Sequence, residues 1–153
     1  MEVSKIDINK ILFTDIIKKY NKQYYLIYYD LENNILNINL KNITIDKTIR
    51  SLSNKKHIKI YISKEQFNYI NKIESKIIDF ISKNKNEIYT DNVNIDKLFF
   101  SNIEHKGNKY LLNLSVDKNF IIFVDKNIDI NLKVYGIWLY ENMFGVSYSV
   151  DNT

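Results

Sequence analysis

The sequence predicts a mainly β domain with some α: a small, strongly curved β-barrel with one long amphipathic helix at about 64–84 and a short helical turn at about 95–99. Three observations carry that expectation. Asn131 to Val150 (NLKVYGIWLYENMFGVSYSV) reads as two strands joined by a tight turn at Glu141-Asn142, since its side chains alternate with period two. Two of the three glycines, Gly136 and Gly145, fall inside those strands, where glycine weakens a strand unless the sheet bends sharply or another backbone or a ligand comes close. Behind Ser63-Lys64-Glu65-Gln66, Phe67, Ile70, Ile73, Ile77 and Ile81 recur at spacings of three and four. That pattern is a capping box followed by an apolar stripe.

Taken in order, residues 9–15 read as a short strand, and Lys18, Lys19 and Lys22 lie in a polar connection. The aromatic and β-branched run 23–30 is a strand, with Tyr25, Ile27 and Tyr29 on one face and Tyr24, Leu26 and Tyr28 on the other. A turn at 31–34 leads into a meander, 35–40 and 43–45. A basic loop follows at 46–56, then a strand at 57–62. Isoleucine is a mediocre helix former, so the helix after Ser63 must be held by packing against a sheet. Asn94 caps the turn at 95–99. Further strands are expected at 100–104, 109–116 and 119–125, with Gly107 at positive φ in a turn and a polar link at 126–130. In the final hairpin, Leu132, Val134, Gly136, Trp138 and Tyr140 share one face, and Tyr135, Ile137 and Leu139 the other. Both faces are apolar, which predicts a strand buried on both sides. In the returning strand Phe144, Val146, Tyr148 and Val150 form the apolar face.

At 153 residues the chain is expected to be a single domain, 1–153, able to bury its own core. It has no cysteine, which removes disulfides and thiolate chemistry. The opening MEVSKIDINK resembles no targeting segment, and no apolar run approaches the roughly 20 residues of a membrane span; the expected location is intracellular, without membrane partners. Ile, Asn, Lys and Tyr make up 82 of the 153 residues, the mark of an AT-rich genome, so only the positions of lysines and tyrosines are informative. Residues 1–76 hold fourteen basic against eight acidic residues, and 77–153 eight against ten. Lys41 to Lys64 contains seven basic residues and one acid, Asp46. A one-sided basic region suits a polyanion partner; a solvated lysine-rich loop would look the same.

Catalytic chemistry has no foothold. His57 and His105 have no metal-ligand partner at i+3 to i+5. The acids are scattered at turns without a paired spacing, and three isolated glycines make no phosphate loop. No enzyme, metal or cofactor is expected.

Four segments in order carry a resemblance: KILFTDIIKKYNKQYYLIYYD (10–30), ILNINLKNITI (35–45), IYISKEQFNYINKIESKIIDFISKN (60–84) and VYGIWLYENMFGVSYSV (134–150). The chain resembles the OB-fold single-stranded DNA-binding proteins of large eukaryotic double-stranded DNA viruses, which are similar in plan to those of short-tailed phages. The closing G-I-W…F-G hairpin is the most specific piece, and together the segments cover most of the chain. It departs from the family pattern in lacking prolines, in its short 46–56 and 85–130 regions, and in ending on DNT without an acidic tail.

The resemblance implies an OB-fold-like barrel that binds single-stranded DNA without base specificity in viral DNA replication, recombination or repair, at the replication site in the host cell. RNA remains a possible partner, as do self-association and replication proteins. Such binding needs a cationic groove and exposed rings for stacking. The cationic candidates are Lys18, Lys19, Lys22, Arg50, Lys55, Lys56 and Lys59; the stacking candidates are Tyr20, Tyr24, Tyr28, Trp138 and Tyr140. Trp138, like Phe144, also suits core packing. The competing expectation is a non-catalytic scaffold or virion-associated protein that keeps the barrel without nucleic-acid binding. It predicts scattered basic residues, where the binding reading predicts one positive face with at least two exposed rings.

Overall fold

The computed structural model describes residues 1–152 apart from Asn33 and Asp125, with backbone alone for Leu52 and Asn152. In chain order the strands and helices are β1 (Ile11–Phe13), β2 (Ile17–Lys19), β3 (Lys22–Tyr29), β4 (Leu36–Ile45), β5 (Arg50–Leu52), β6 (Lys55–Ile62), α1 (Lys64–Lys83), α2 (Lys85–Ile88), α3 (Ile95–Leu98), β7 (Phe99–Phe100), β8 (Ile103–Lys106), β9 (Lys109–Asp117), β10 (Ile128–Tyr140) and β11 (Met143–Asn152). They form a mainly β fold in which one sheet curls into a half-barrel.

The sheet runs β1-β3-β10-β4-β6-β9-β8, with β11 hairpinned on β10, β2 on β3 and β5 on β6. The long strand β10 makes the curl. Its first half pairs with β4 (Leu132 opposite Ile38) and its second half with β3 (Trp138 opposite Tyr24), while β11 runs along its other edge. The change of partner coincides with a break in register between Val134 and Gly136, a bulge that leaves Tyr135 unpaired. A bulge sharpens local twist and re-aims the side chains beyond it. At Gly136 an added Cβ would stand 2.9 Å from the Tyr25 carbonyl oxygen, so glycine lets β3 approach here.

The bulge overturns the expected facing of this strand. Leu132, Val134 and Ile137 face the core, whereas Trp138 is half-buried and Tyr140 68% exposed on the outside. The strand is therefore central in its pairing but wet on its outer face. Other expectations are corrected too. Residues 119–124 form no strand: Phe120 N–H donates to the Asp117 carbonyl at 2.9 Å, turning the chain away, and Val124 keeps one isolated bridge to Ile45. The remaining residue of that expected strand, Asp125, lies outside the described residues. The 46–56 loop contains β5, paired with β6, and Lys18, Lys19 and Lys22 lie in the β2–β3 hairpin rather than a loose connection. Segments 35–40 and 43–45 are one strand, and 9–15 contributes three strand residues after a 3-10 turn.

The capping box at Ser63 is complete, with both reciprocal bonds present. Helix α1 covers the inside of the curl. Its buried face is Gln66, Ile70, Ile73, Glu74, Ile77 and Ile81. Phe67 stacks on Tyr110 of β9 at 4.3 Å near one end, and Phe80 on Phe13 of β1 at 4.1 Å near the other. The helix thereby bridges strands far apart in the sheet order. Among the described residues no helix is long and apolar enough to cross a membrane.

Glu74 is the exception in this apolar interior. It is 3% exposed, and Ser101 Oγ donates to its Oε1 at 2.8 Å. Burial raises its pKa to about 7, against the smaller opposing effect of that bond. The Tyr148 hydroxyl is buried with no hydrogen-bond partner; burial first, and the Glu74 charge second, push its pKa well above the phenol range. A carboxyl whose folded pKa lies above its unfolded value stabilises the fold fully below the unfolded value. That stabilisation is lost as pH rises through the folded value. Stability should fall between about pH 4.5 and 7, by about 3 kcal/mol in all from this group. Glu74→Gln should flatten that fall in denaturant titrations at pH 5 and 8; an unchanged pH dependence would contradict the assignment.

Candidate functional site

The outer face of the sheet carries a row that crosses five strands. Pairing sets Ile17 of β2 opposite Tyr24 of β3, Tyr24 opposite Trp138 of β10, Trp138 opposite Gly145 of β11, and Gly145 opposite Phe100 of β7. At strand spacings near 4.8 Å the row is about 19 Å long. Tyr24 and Trp138 are half-buried and Phe100 is 50% exposed. The Trp138 and Phe100 rings lie 6.2 Å apart.

Gly145 makes this row possible. A Cβ there would stand 2.4 Å from Trp138 Cζ2 and 2.6 Å from Cε2. The indole therefore lies against the strand where a side chain would otherwise project. The expected close approach of a backbone is met at Gly136, where the Tyr25 carbonyl stands; at Gly145 the group that approaches is instead a side chain of the partner strand.

At one end of the row stands the β2–β3 hairpin. Tyr20 and Asn21 form its two-residue turn, both with positive φ (52° and 61°), as the favoured hairpin turns require. Asn tolerates that region, whereas Tyr at φ 52° is strained. Tyr20 is nevertheless 86% exposed, with Lys19 Nζ 5.7 Å from its ring centroid. Lys18, Lys19 and Lys22 surround it and form no ion pair among the described residues. Between hairpin and row lies a cleft of about 440 Å³ bordered by Lys22, Tyr24, Tyr135, Trp138 and Tyr140. Beyond Phe100 is a second cleft of about 490 Å³ that includes Arg50, His57 and Lys59.

The structure thus gathers Lys18, Lys19, Tyr20, Lys22, Tyr24, Trp138 and Tyr140 at one end of a face, with Arg50 across Phe100 at the other. The remaining candidates fare differently. Lys55 Nζ is 2.6 Å from Asp117 Oδ1 and Lys59 Nζ 3.0 Å from Glu104 Oε2, so cross-strand carboxylates offset both charges. Lys56 sits at a strand end on the side of Ile58, Ile60 and Ile62, away from that face. Tyr28 shares the side of Tyr24 but lies opposite Leu12 of β1, four residues along the strand. Tyr25, Ile27 and Tyr29 are the buried set of β3; burial and then a bond to Glu87 raise the Tyr25 pKa. Phe144 is wholly buried.

Sequence reasoning missed Phe100, His57 and Tyr135. Phe100 reaches the row only because β7 pairs in parallel with β11, a contact with no local signature. Gly145 was the one available signal that something lies across the strand. No group of acidic or histidine side chains suited to a metal ion occurs among the described residues. No protein family, curated protein or solved structure matches the chain.

Gly145→Ala should force the indole off the sheet. Overpacking of this kind costs about 1–3 kcal/mol, so Tm should fall and the emission of Trp138, the single tryptophan, should shift to the red. An unshifted spectrum would mean the indole does not rest on Gly145.

Proposed function

We propose that this protein binds single-stranded nucleic acid, single-stranded DNA in the first instance, by charge and stacking rather than by general base reading. The observation that carries the proposal is the outward row Tyr24–Trp138–Phe100, lying between the lysine hairpin and Arg50. Exposed rings along a sheet offer π faces to any base, worth about 1–3 kcal/mol per base by alanine substitution. Cations at both ends neutralise the strand's phosphates, and lysines do so as point charges that impose no bidentate geometry. A row of about 19 Å accommodates roughly three or four bases, near the lower end of site sizes for OB-folds.

An OB-fold is the finer reading of the curled half-barrel, and it belongs to this proposal together with the setting implied by the resemblance. That setting is replication, recombination or repair of a large viral DNA genome inside the host cell, by binding alone and without catalysis. One observation favours a scaffold protein instead: the ion pairs at Lys55 and Lys59 offset much of the basic region.

Quenching of Trp138 by oligo-dT separates the two. With up to four cations engaged (Lys18, Lys19, Lys22, Arg50), log K should fall by about 3 per tenfold rise in salt. By fluorescence anisotropy of a labelled oligo-dT, Trp138→Ala and Phe100→Ala should each weaken binding by about 1–3 kcal/mol. Absence of binding at low salt would leave the scaffold reading, and salt-independent binding would remove the charge mechanism.

A further inference from the structure

We infer that the cleft beyond Phe100 is a subsite for one nucleotide whose base carries an exocyclic amino group, an inference that rests on the nucleic-acid reading above. The cleft is built on two adjacent cross-strand rows. One is Arg50–His57–Ser115 on β5, β6 and β9; the other is Lys59–Asn113 on β6 and β9, continued by Asn102, whose carbonyl accepts from Asn113 N–H at 2.7 Å. Phe100 closes the side nearest Trp138.

The polar groups of this cleft are unevenly used. Asn102 Nδ2 donates to the Asn113 carbonyl at 2.8 Å, which fixes the orientation of its carboxamide: the nitrogen must face that carbonyl, so Oδ1 points elsewhere. It receives no donor among the described residues. Asn113 Oδ1 is buried and likewise lacks a partner. Lys59, the nearest amine by register, is held by Glu104. Two carboxamide oxygens therefore lack donors beside an aromatic ring, while Arg50 has no carboxylate partner among the described residues.

That combination selects a ligand by its edge. A base lying against Phe100 with its phosphate at Arg50 would turn its edge towards Asn102 Oδ1, the acceptor open to solvent, with the buried Asn113 Oδ1 behind it. Cytosine and adenine present an amino group there, at N4 and N6. In that pose thymine places O4 where cytosine places its N4 amino group, and oxygen facing oxygen is repulsive. The row of rings would stay indifferent to sequence, and this one position would favour an amino base.

The test compares a short oligo-dT with the same oligomer carrying one central dC, and with one carrying a pyrimidinone that lacks the 4-amino group. The dC oligomer should bind about five-fold tighter than oligo-dT, the ratio expected of one added hydrogen bond. The pyrimidinone should lose the gain without any change to the protein. Asn102→Ala should abolish the preference while leaving oligo-dT affinity within about two-fold. Equal affinity for all three oligomers, or a gain that survives either removal, overturns the inference and leaves the general binding proposal standing. If no oligomer binds, both fall.

Discussion

Strand β10 is required to serve two neighbours on one edge, and the fold is organised by how it does so. A straight strand of that length would pair with one partner throughout. The unpaired Tyr135 divides it, so Leu132 and Val134 pair against β4 while Ile137 and Trp138 pair against β3. The twist added there curls the sheet around α1. The same residue resets the alternation, placing Ile137 in the core and Trp138 and Tyr140 outside. Gly136 completes the device, because a side chain at that point would collide with the Tyr25 carbonyl. Curvature and an aromatic outer face are thus two results of one extra residue.

The outer face combines two kinds of attraction whose ranges differ. Rings act by contact and are little affected by salt, whereas lysines act across a Debye length of about 8–10 Å and are screened. Placing cations at the ends of the row and rings in its middle lets a strand be attracted by charge and retained by stacking. Exposed ion pairs such as Lys41–Glu2 and Lys133–Asp151 (both under 3 Å) contribute little to stability. Like those at Lys55 and Lys59, they offset charge locally, whereas the three hairpin lysines and Arg50 carry no ion pair among the described residues. The strained turn fits the same picture. Holding Tyr20 at positive φ costs about 1–3 kcal/mol, and its ring is left almost fully exposed beside three lysines.

Local features were legible in the sequence. The capping box and isoleucine stripe located α1 to within one residue of its observed end, because both signals are contained in consecutive turns. The last hairpin was readable from alternation and its two-residue turn, and Gly107 sits at φ 62° in the tight connection where it was expected. The bulge was only half readable: Gly136 signalled a bend, but apolar residues flank it on both sides, so the alternation in VYGIWL does not show that the phase changes. Residues 119–124 read as an aromatic and β-branched run like a strand, yet a single turn bond from Phe120 and burial of its ring decide their path. At the site, the hairpin lysines and Trp138 could be selected in advance. The neutralised state of Lys55 and Lys59 could not, because Asp117 and Glu104 are 62 and 45 residues away. Phe100 depended on a pairing of two residues with a strand more than forty positions later.

The central claim is that unpaired bases lie on the row formed by Tyr24, Trp138 and Phe100. Photo-crosslinking with an oligonucleotide that carries iodo-deoxyuridine, followed by peptide mass spectrometry, tests it most directly. The account predicts adducts at those three rings and at Tyr20 or Tyr140 beside them. Adducts confined to Tyr28, or to Tyr69 on α1, would contradict it.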